Sequence, residues 1–238
     1  MNNKTQRAAR CIHIHRHADS KGIIDRLLAL AGIVVLSPLF ALIALCLLID
    51  SPGGAIFKQE RIGKGGKKFT MYKFRSMRGT TDNDEYRQLM RTLIADDKPH
   101  MVCKLSFQPR VTRIGSLLRK TNLDELPQLF NVLKGELRLV GPRPDIPYAV
   151  EFYEDWMRKR LLITPGMTGL WQVSGGNQLP FSEMVRLDIE YIERKSILLD
   201  AKILWKTAGL VIRRDGNYWK QNDKAEDHSQ YQVSESSS

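Results

Sequence analysis

Apolar positions along this chain follow three different patterns. From Leu27 to Ile49 a single apolar run extends for 23 residues without a charge, long enough to cross a bilayer. It is too long and too deep in the chain for a signal-peptide core, and no small-residue cleavage site follows it. Ala55–Gln59 and Phe69–Phe74 then read as short strands around the turn residues Gly63-Lys64-Gly65-Gly66, which predicts a small β-hairpin. Further on, helical spacing takes over. Leu126, Leu129, Phe130 and Leu133 form the apolar stripe of a packed helix, with Asp124, Gln128 and Asn131 on a different face. Residues 145–162 and 182–195 also read as helices. Residues 197–214 are amphipathic and basic, too interrupted by Asp200, Lys202 and Lys206 to span, and predict an interfacial helix. The fold class is therefore α+β and helix-dominated.

The long apolar run has Ser37-Pro38 near its middle. Proline removes a backbone hydrogen bond there and kinks a helix. Both flanks are basic, with Arg7, Arg10, Arg16, Lys21 and Arg26 before and Lys58, Arg61, Lys64, Lys67 and Lys68 after. A spanning helix calls for asymmetry of charge across it, and here there is little. A re-entrant hairpin over residues 21–50, entering and leaving on one side, meets both observations. Ser37 is the candidate to satisfy backbone groups freed at the break. A kinked transmembrane helix is the alternative.

The remaining segments divide the chain. Residues 1–20 form a basic tail in which Cys11, His13, His15 and His17 alternate, without a second ligand cluster to make a metal site. Residues 51–214 are read as one domain. Within it, 79–100 are an acidic, solvated connection with a surface helix over 85–94. Residues 215–238 are polar, with the composition of a disordered tail.

Charge narrows the partners. The net charge is +11 and the pI about 9.7, so anionic lipid, nucleic acid or phosphorylated substrates are the classes to weigh. Aromatic residues at 8% are unremarkable, and no zinc-finger spacing or RNA-recognition signature is present, so nucleic acid is not expected. Cys11, Cys46 and Cys103 are odd in number and far apart, which implies no disulfide framework and suits a reducing compartment. Only one run is long enough to span, which excludes a many-spanning enzyme. A homo-oligomer is left open.

The candidate chemistry centres on residues 121–144, TNLDELPQLFNVLKGELRLVGPRP. Thr121, Asn122 and Asp124 are cap candidates, Pro127 falls near the first turn, and Lys134-Gly135 reads as a stop. Asp124 and Glu125 would then sit at the positive end of a short helix, which holds carboxylates ionised. Neighbouring helical side chains diverge by about 100°, so the two suit separate tasks better than a shared proton. Capping alone would also account for them. Adjacent carboxylates do not suit a glycosidase, whose pair must flank a bond from opposed positions. The turn Val140-Gly141-Pro142-Arg143-Pro144 presents one guanidinium, whose fork matches phosphate. Lys73 and Arg75 alternate with Tyr72 and Phe74, and Arg110, Arg113, Arg119 and Lys120 precede the Asp-Glu pair as a patch suited to diphosphate or lipid headgroups.

The block LDELPQLFNVLKGELRLVGPRP resembles the signature of the bacterial sugar transferases, the monotopic phosphoglycosyl transferases. The Lys-Phe-Arg-Ser-Met segment at 73–77, the glycine-rich stretch from Thr164 to Gly175 and the Leu-Leu-Asp segment ending at Asp200 are similar as well. The likeness spans roughly residues 21–212, the minimal form of the family. It implies transfer of a sugar-1-phosphate from a UDP-sugar to polyprenyl (undecaprenyl) phosphate, with release of UMP, at the cytosolic face of the bacterial inner membrane. The same resemblance makes residues 51–214 a cytosolic catalytic domain lying on the membrane. It implies Asp124 as nucleophile, Glu125 as ligand of Mg²⁺, and a re-entrant helix broken at Ser37-Pro38. Lys73, Arg75, Arg113, Arg143 and Asp200 are then the substrate-binding candidates, and anionic membrane lipids are further partners. In two places the chain departs from the family. Gly176 stands where the family usually has arginine, and Arg194-Lys195 replace an aromatic residue. The competing function is a basic, membrane-tethered module that binds nucleic acid or acidic polymer.

Overall fold

A computed structural model describes residues 3–50, 53–78 and 110–213, together with 87–88, 91–92, 94–95 and 97; in the first helix, side chains are described from Lys21 onward. The expected surface helix over 85–94 is described at 87–88, 91–92 and 94, all of them helical; its other residues, the tail at 215–238, and the side chains of Cys11, His13, His15 and His17 lie outside the described residues.

The first helix, α1, runs from Asn3 to Asp50 through Pro38. The expected pair of helices meeting at a break is instead one helical element, and it includes most of the basic tail. The Ser-Pro pair explains its continuity. Pro38 lacks the N–H that would bond to the carbonyl of Val34, four residues back. The Ser37 hydroxyl donates to that same Val34 oxygen at 2.8 Å, so the acceptor is not orphaned.

One stripe of α1 packs against the rest of the chain. Ala29, Ile33, Leu36 and Phe40 meet Leu129, Val132 and Leu137, and Ile43 and Leu47 meet Phe74 and Leu118. At its polar head, Lys21 pairs with Asp200 and donates to Tyr191 Oη at 2.9 Å. Both ends of the apolar segment therefore rest on one body. The opposite face is bare: Leu27 is 61% exposed, Val35 75% and Ile49 80%.

The predicted hairpin is present. Strands β1 (Ile56–Ile62) and β2 (Lys68–Phe74) pair antiparallel from Ile56↔Phe74 to Ile62↔Lys68. A short pair, β3 (Met77–Arg78) and β4 (Arg110–Val111), follows, and then α2 (Arg113–Lys120), capped by Thr112 Oγ1 accepting from the Gly115 amide at 2.9 Å. Gly115 must be glycine, because a Cβ there would lie 2.1 Å from the Ser76 oxygen. That close approach presses α2 onto the end of the hairpin.

Helix α3 (Gln128–Lys134) has Pro127 at its N-cap and the left-handed Gly135 at its C-cap. Its faces follow the apolar stripe only in part, with Leu129 buried as predicted. Gln128 and Asn131 are buried, while Phe130 and Leu133 are partly exposed. The reason is the edge of β2 that β1 leaves free. Asn131 Oδ1 accepts from the Tyr72 amide at 3.0 Å, and its Nδ2 donates to Thr70 O and Glu136 Oε2, each at 2.7 Å. A buried polar side chain here does the work of a third strand. Phe130 turns to α1 and meets Phe40 edge-on at 5.8 Å.

Next, β5 (Arg138–Val140) pairs parallel with β6 (Gly166–Thr168). Between them, where one helix is expected, lie the short α4 (Pro147–Glu151) and a 3₁₀ segment, Met157–Leu162. The chain closes with α5 (Leu170–Ser174), α6 (Phe181–Arg194) and α7 (Ile197–Arg213). On α7, Ile203 and Asp200 face inward, and Ile197, Leu198 and Trp205 are more than two-thirds exposed.

Asn131→Ala should cost about 2–3 kcal/mol, since it leaves the free edge of β2 unpaired in a buried place. Urea or thermal unfolding of the detergent-solubilised protein measures this, and a loss below about 0.5 kcal/mol would refute the clamp.

Candidate active site

Asp124 and Glu125 lie in a 3₁₀ turn, Leu123–Glu125, reached through the left-handed Asn122 (φ 55°). They are not in the first turn of α3, as their expected place at its positive end required. In a 3₁₀ turn successive side chains diverge by about 120°, so the two carboxylates separate more than in an α-helix.

Glu125 is the hub. Its Oε1 accepts from Lys73 Nζ at 2.7 Å and from Arg143 Nη2 at 2.8 Å. The three side chains are 21%, 17% and 29% exposed. The one oxygen thus joins β2, the 3₁₀ turn and the loop after β5. Burial opposes its charge, but the Arg143 and Lys73 cations prevail and hold the carboxyl far below the usual range. Burial pulls Lys73 down against the pull of Glu125, and Glu125 raises Arg143 further.

Asp124 behaves differently. Burial pushes its carboxyl above the ordinary value and Glu125 adds to this, while Lys73, Arg119 and Arg143 pull it back. The expected helix end does not hold it ionised; three cations do that part, against desolvation. Arg119, at the C-terminal end of α2, was legible only as one member of a basic patch.

The loop that presents Arg143 is fastened along its length. Gly141 N donates to Thr168 O at 2.9 Å and Gly166 N to Pro142 O at 2.8 Å. Arg61 Nη1 donates to Pro144 O at 3.2 Å and Ile62 N to Asp145 O at 2.8 Å. Underneath is Arg160, whose side chain is 4% exposed and paired with Asp145 and Asp188. Burial pushes Asp188 up to about 7 in spite of that pairing.

The other predicted site residues stand apart from this cluster. Arg75 lies over the Gly53 backbone, with its Nε buried and unbonded. Arg113 is exposed at the start of α2. Asp200 is bonded to Lys21 and to Tyr191 Oη, the latter at 2.7 Å, and Tyr191 Oη also donates towards Val140 O at 3.1 Å. Its contacts are those of a tie between α7, α1 and β5. Ser37 and Pro38 sit within α1, as described above.

Comparison with known proteins bears on this arrangement. The family described as bacterial sugar transferase matches residues 16–214. The chain belongs to that family. The UDP-galactose-lipid carrier transferase of Erwinia amylovora is 43% identical over 200 residues, covering 83% of this chain and 41% of that protein. The undecaprenyl-phosphate galactose phosphotransferase of Salmonella typhimurium is 42% identical over 199 residues, 83% of this chain and 41% of that protein. The exopolysaccharide production protein ExoY of Sinorhizobium fredii is 40% identical over 200 residues, 84% of this chain and 88% of that protein. The chain thus spans about two-fifths of the length of the first two and most of the third. Gly176, where the family resemblance leads one to expect arginine, is buried with φ 58°, a left-handed backbone that favours glycine.

Glu125→Gln should remove the carboxylate that bonds both Lys73 and Arg143, leaving Asp124 to offset them, at a cost of about 3 kcal/mol. Because the folded carboxyl is depressed, its stabilisation is complete above the ordinary 4.5 and fades as pH falls towards its lowered value. Unfolding measured from pH 7 down to pH 3 should show the gap between wild type and Glu125→Gln narrowing. A gap that widens on acidification would contradict the charge assignment.

Proposed function

We propose that this bacterial sugar transferase moves a sugar-1-phosphate from a UDP-sugar to polyprenyl (undecaprenyl) phosphate and releases UMP, at the cytosolic face of the bacterial inner membrane. The product opens the membrane stage of polysaccharide or glycoconjugate assembly. One observation carries the reading: half-buried Asp124 stands beside a carboxylate that gathers Lys73 and Arg143 onto one oxygen. The names of the Erwinia and Salmonella relatives point the same way.

Asp124 is the nucleophile. Its Oδ attacks the β-phosphorus of the UDP-sugar, the bond from that phosphorus to the bridging oxygen breaks, and UMP leaves with the electron pair. An aspartyl phosphosugar remains. A phosphate oxygen of the polyprenyl carrier then attacks the same phosphorus, the bond to Asp124 breaks, and the carboxylate is restored. Using a soluble and a lipid substrate in turn avoids crowding two anions into one site. Lys73 and Arg143 hold the donor diphosphate, and their shielding from water strengthens that hold.

Mg²⁺ fits Glu125. Among the described residues both cations bond Oε1, so Oε2 is the oxygen that would take a metal that uses one or two carboxylates and substrate phosphates. When bound, it supplies charge neutralisation for the departing UMP. The apolar face of α1 and the outer face of α7 meet anionic lipid, with α1 re-entrant rather than spanning. The support for this is that both ends of its apolar segment rest on the same body, with Pro38 as the place for the continuous helix to bend. A basic tethered module for nucleic acid or acidic polymer would leave the buried cluster without a use.

Incubation with a UDP-sugar and Mg²⁺ but no lipid should give a sugar-phosphate adduct on Asp124, found by intact mass and peptide mapping and absent from Asp124→Asn. Because burial raises Asp124, adduct formation should fall off on acidification at a pH above the ordinary 3.8. Intersecting double-reciprocal lines without an adduct would overturn the covalent route. Full activity in excess chelator would remove the metal.

In a cysteine-free background, single cysteines near residues 16 and 58 should both label only from the cytosolic side. Labelling of either from the outside would make α1 a spanning helix.

A further inference from the structure

Three cations in a row, Arg158-Lys159-Arg160, read alike in the sequence, yet their fates differ. Arg158 and Lys159 are exposed, and Arg160 is buried. Its Nη1 donates to Asp145 Oδ2 at 2.6 Å and to Tyr153 Oη at 2.8 Å. Its Nη2 donates to Asp188 Oδ2 at 2.5 Å and to the backbone oxygen of Arg143 at 3.3 Å. Tyr153 Oη donates to Asp145 Oδ2 as well.

A buried ion cluster is a costly way to fill a core, and apolar side chains of the same volume commonly stabilise more. What the polar version gives is direction. A guanidinium is planar, with donors in fixed directions. Here one edge of the fork holds the carbonyl of Arg143 and the other holds the side chain two residues further on. The Arg143 guanidinium is then free to reach across to Glu125. An ammonium at 160 would keep the charge but not both directions.

We infer that Arg160 is the positioning residue for Arg143: with Asp145, Asp188 and Tyr153 it fixes the 141–146 loop so that the Arg143 guanidinium is delivered to Glu125 and the donor diphosphate. The part concerning the donor rests on the transferase reading above. Asp188 anchors the fork from α6, so that helix contributes to the site without touching substrate.

The test uses the full chain in nanodiscs, with Arg160→Lys and the milder Tyr153→Phe, each alone and combined with Arg143→Ala. Three quantities are read: donor and acceptor KM with kcat, Tm, and amide hydrogen exchange of residues 141–146. Arg160→Lys should lower kcat/KM for the donor about tenfold, the order expected for a lost positioning contact, and leave acceptor KM unchanged. In the Arg143→Ala background it should lower kcat/KM no further. Exchange at 141–146 should quicken more than elsewhere. Tyr153→Phe should move the same quantities in the same direction by less, and decides the matter if Arg160→Lys does not fold. Losses that multiply in the double variant, or exchange that rises evenly over the whole chain with KM unchanged, would overturn the proposal and leave Arg160 a core residue. If wild type turns over no UDP-sugar, the transferase reading fails. The exchange data alone then decide whether Arg160 fixes the loop.

Discussion

A single carboxylate oxygen, Glu125 Oε1, holds the functional part of this molecule together. Lys73 comes from a strand, Glu125 from a 3₁₀ turn and Arg143 from a loop after another strand, and no two of these are neighbours in sequence. In shielded surroundings the attraction is strong, but it stabilises only when every partner is in place. Much of the fold serves that condition. Gly115 lets α2 come close enough to set the turn, Asn131 fixes α3 to the edge of β2, and Arg160 holds the Arg143 loop from below. Asp124 inherits its surroundings from this scaffold. It is buried enough to resist ionisation, and close enough to cations to be brought back.

The long apolar helix answers to a different requirement. On the proposed reading it offers one face to lipid while remaining part of the globular body. The stripe from Ala29 to Leu47 does the second and the bare face does the first. The polar head, where Lys21 meets Asp200 and Tyr191, keeps the beginning of the segment from drifting away. Tyr191 also approaches the Val140 oxygen, so the membrane helix and the strand leading to Arg143 share one set of bonds.

The features most legible in sequence were those with local causes. The hairpin, α6 and α7 follow from periodicity and turn residues, and the Asp-Glu pair with Lys73 and Arg143 follows from resemblance to a family. Features set by tertiary contact were hidden. The stripe of Leu126, Leu129, Phe130 and Leu133 held only in part: Leu129 is in the core and Leu126 packs on it, but Asn131 rather than Phe130 takes the position against β2. Arg160 could not be told from Arg158 or Lys159, since only packing decides which cation goes inside. The helix end assigned to Asp124 moved because Asn122 turns left-handed and Pro127 starts α3 later. Asp200, matched to a family acid, proved to be engaged with Lys21.

The tie between Lys21 and its partners has a consequence for biosynthesis. Lys21 is separated from Tyr191 by 170 residues. At ribosomal speeds of roughly 5–20 residues per second, the head of α1 waits on the order of ten seconds or more before its partners exist. During that interval the helix is already apolar enough to leave water, and its orientation must be held by the lipid and by the basic residues flanking it. On the proposed membrane reading, the globular body would then fold onto a helix already placed, and the last two helices would lock that arrangement.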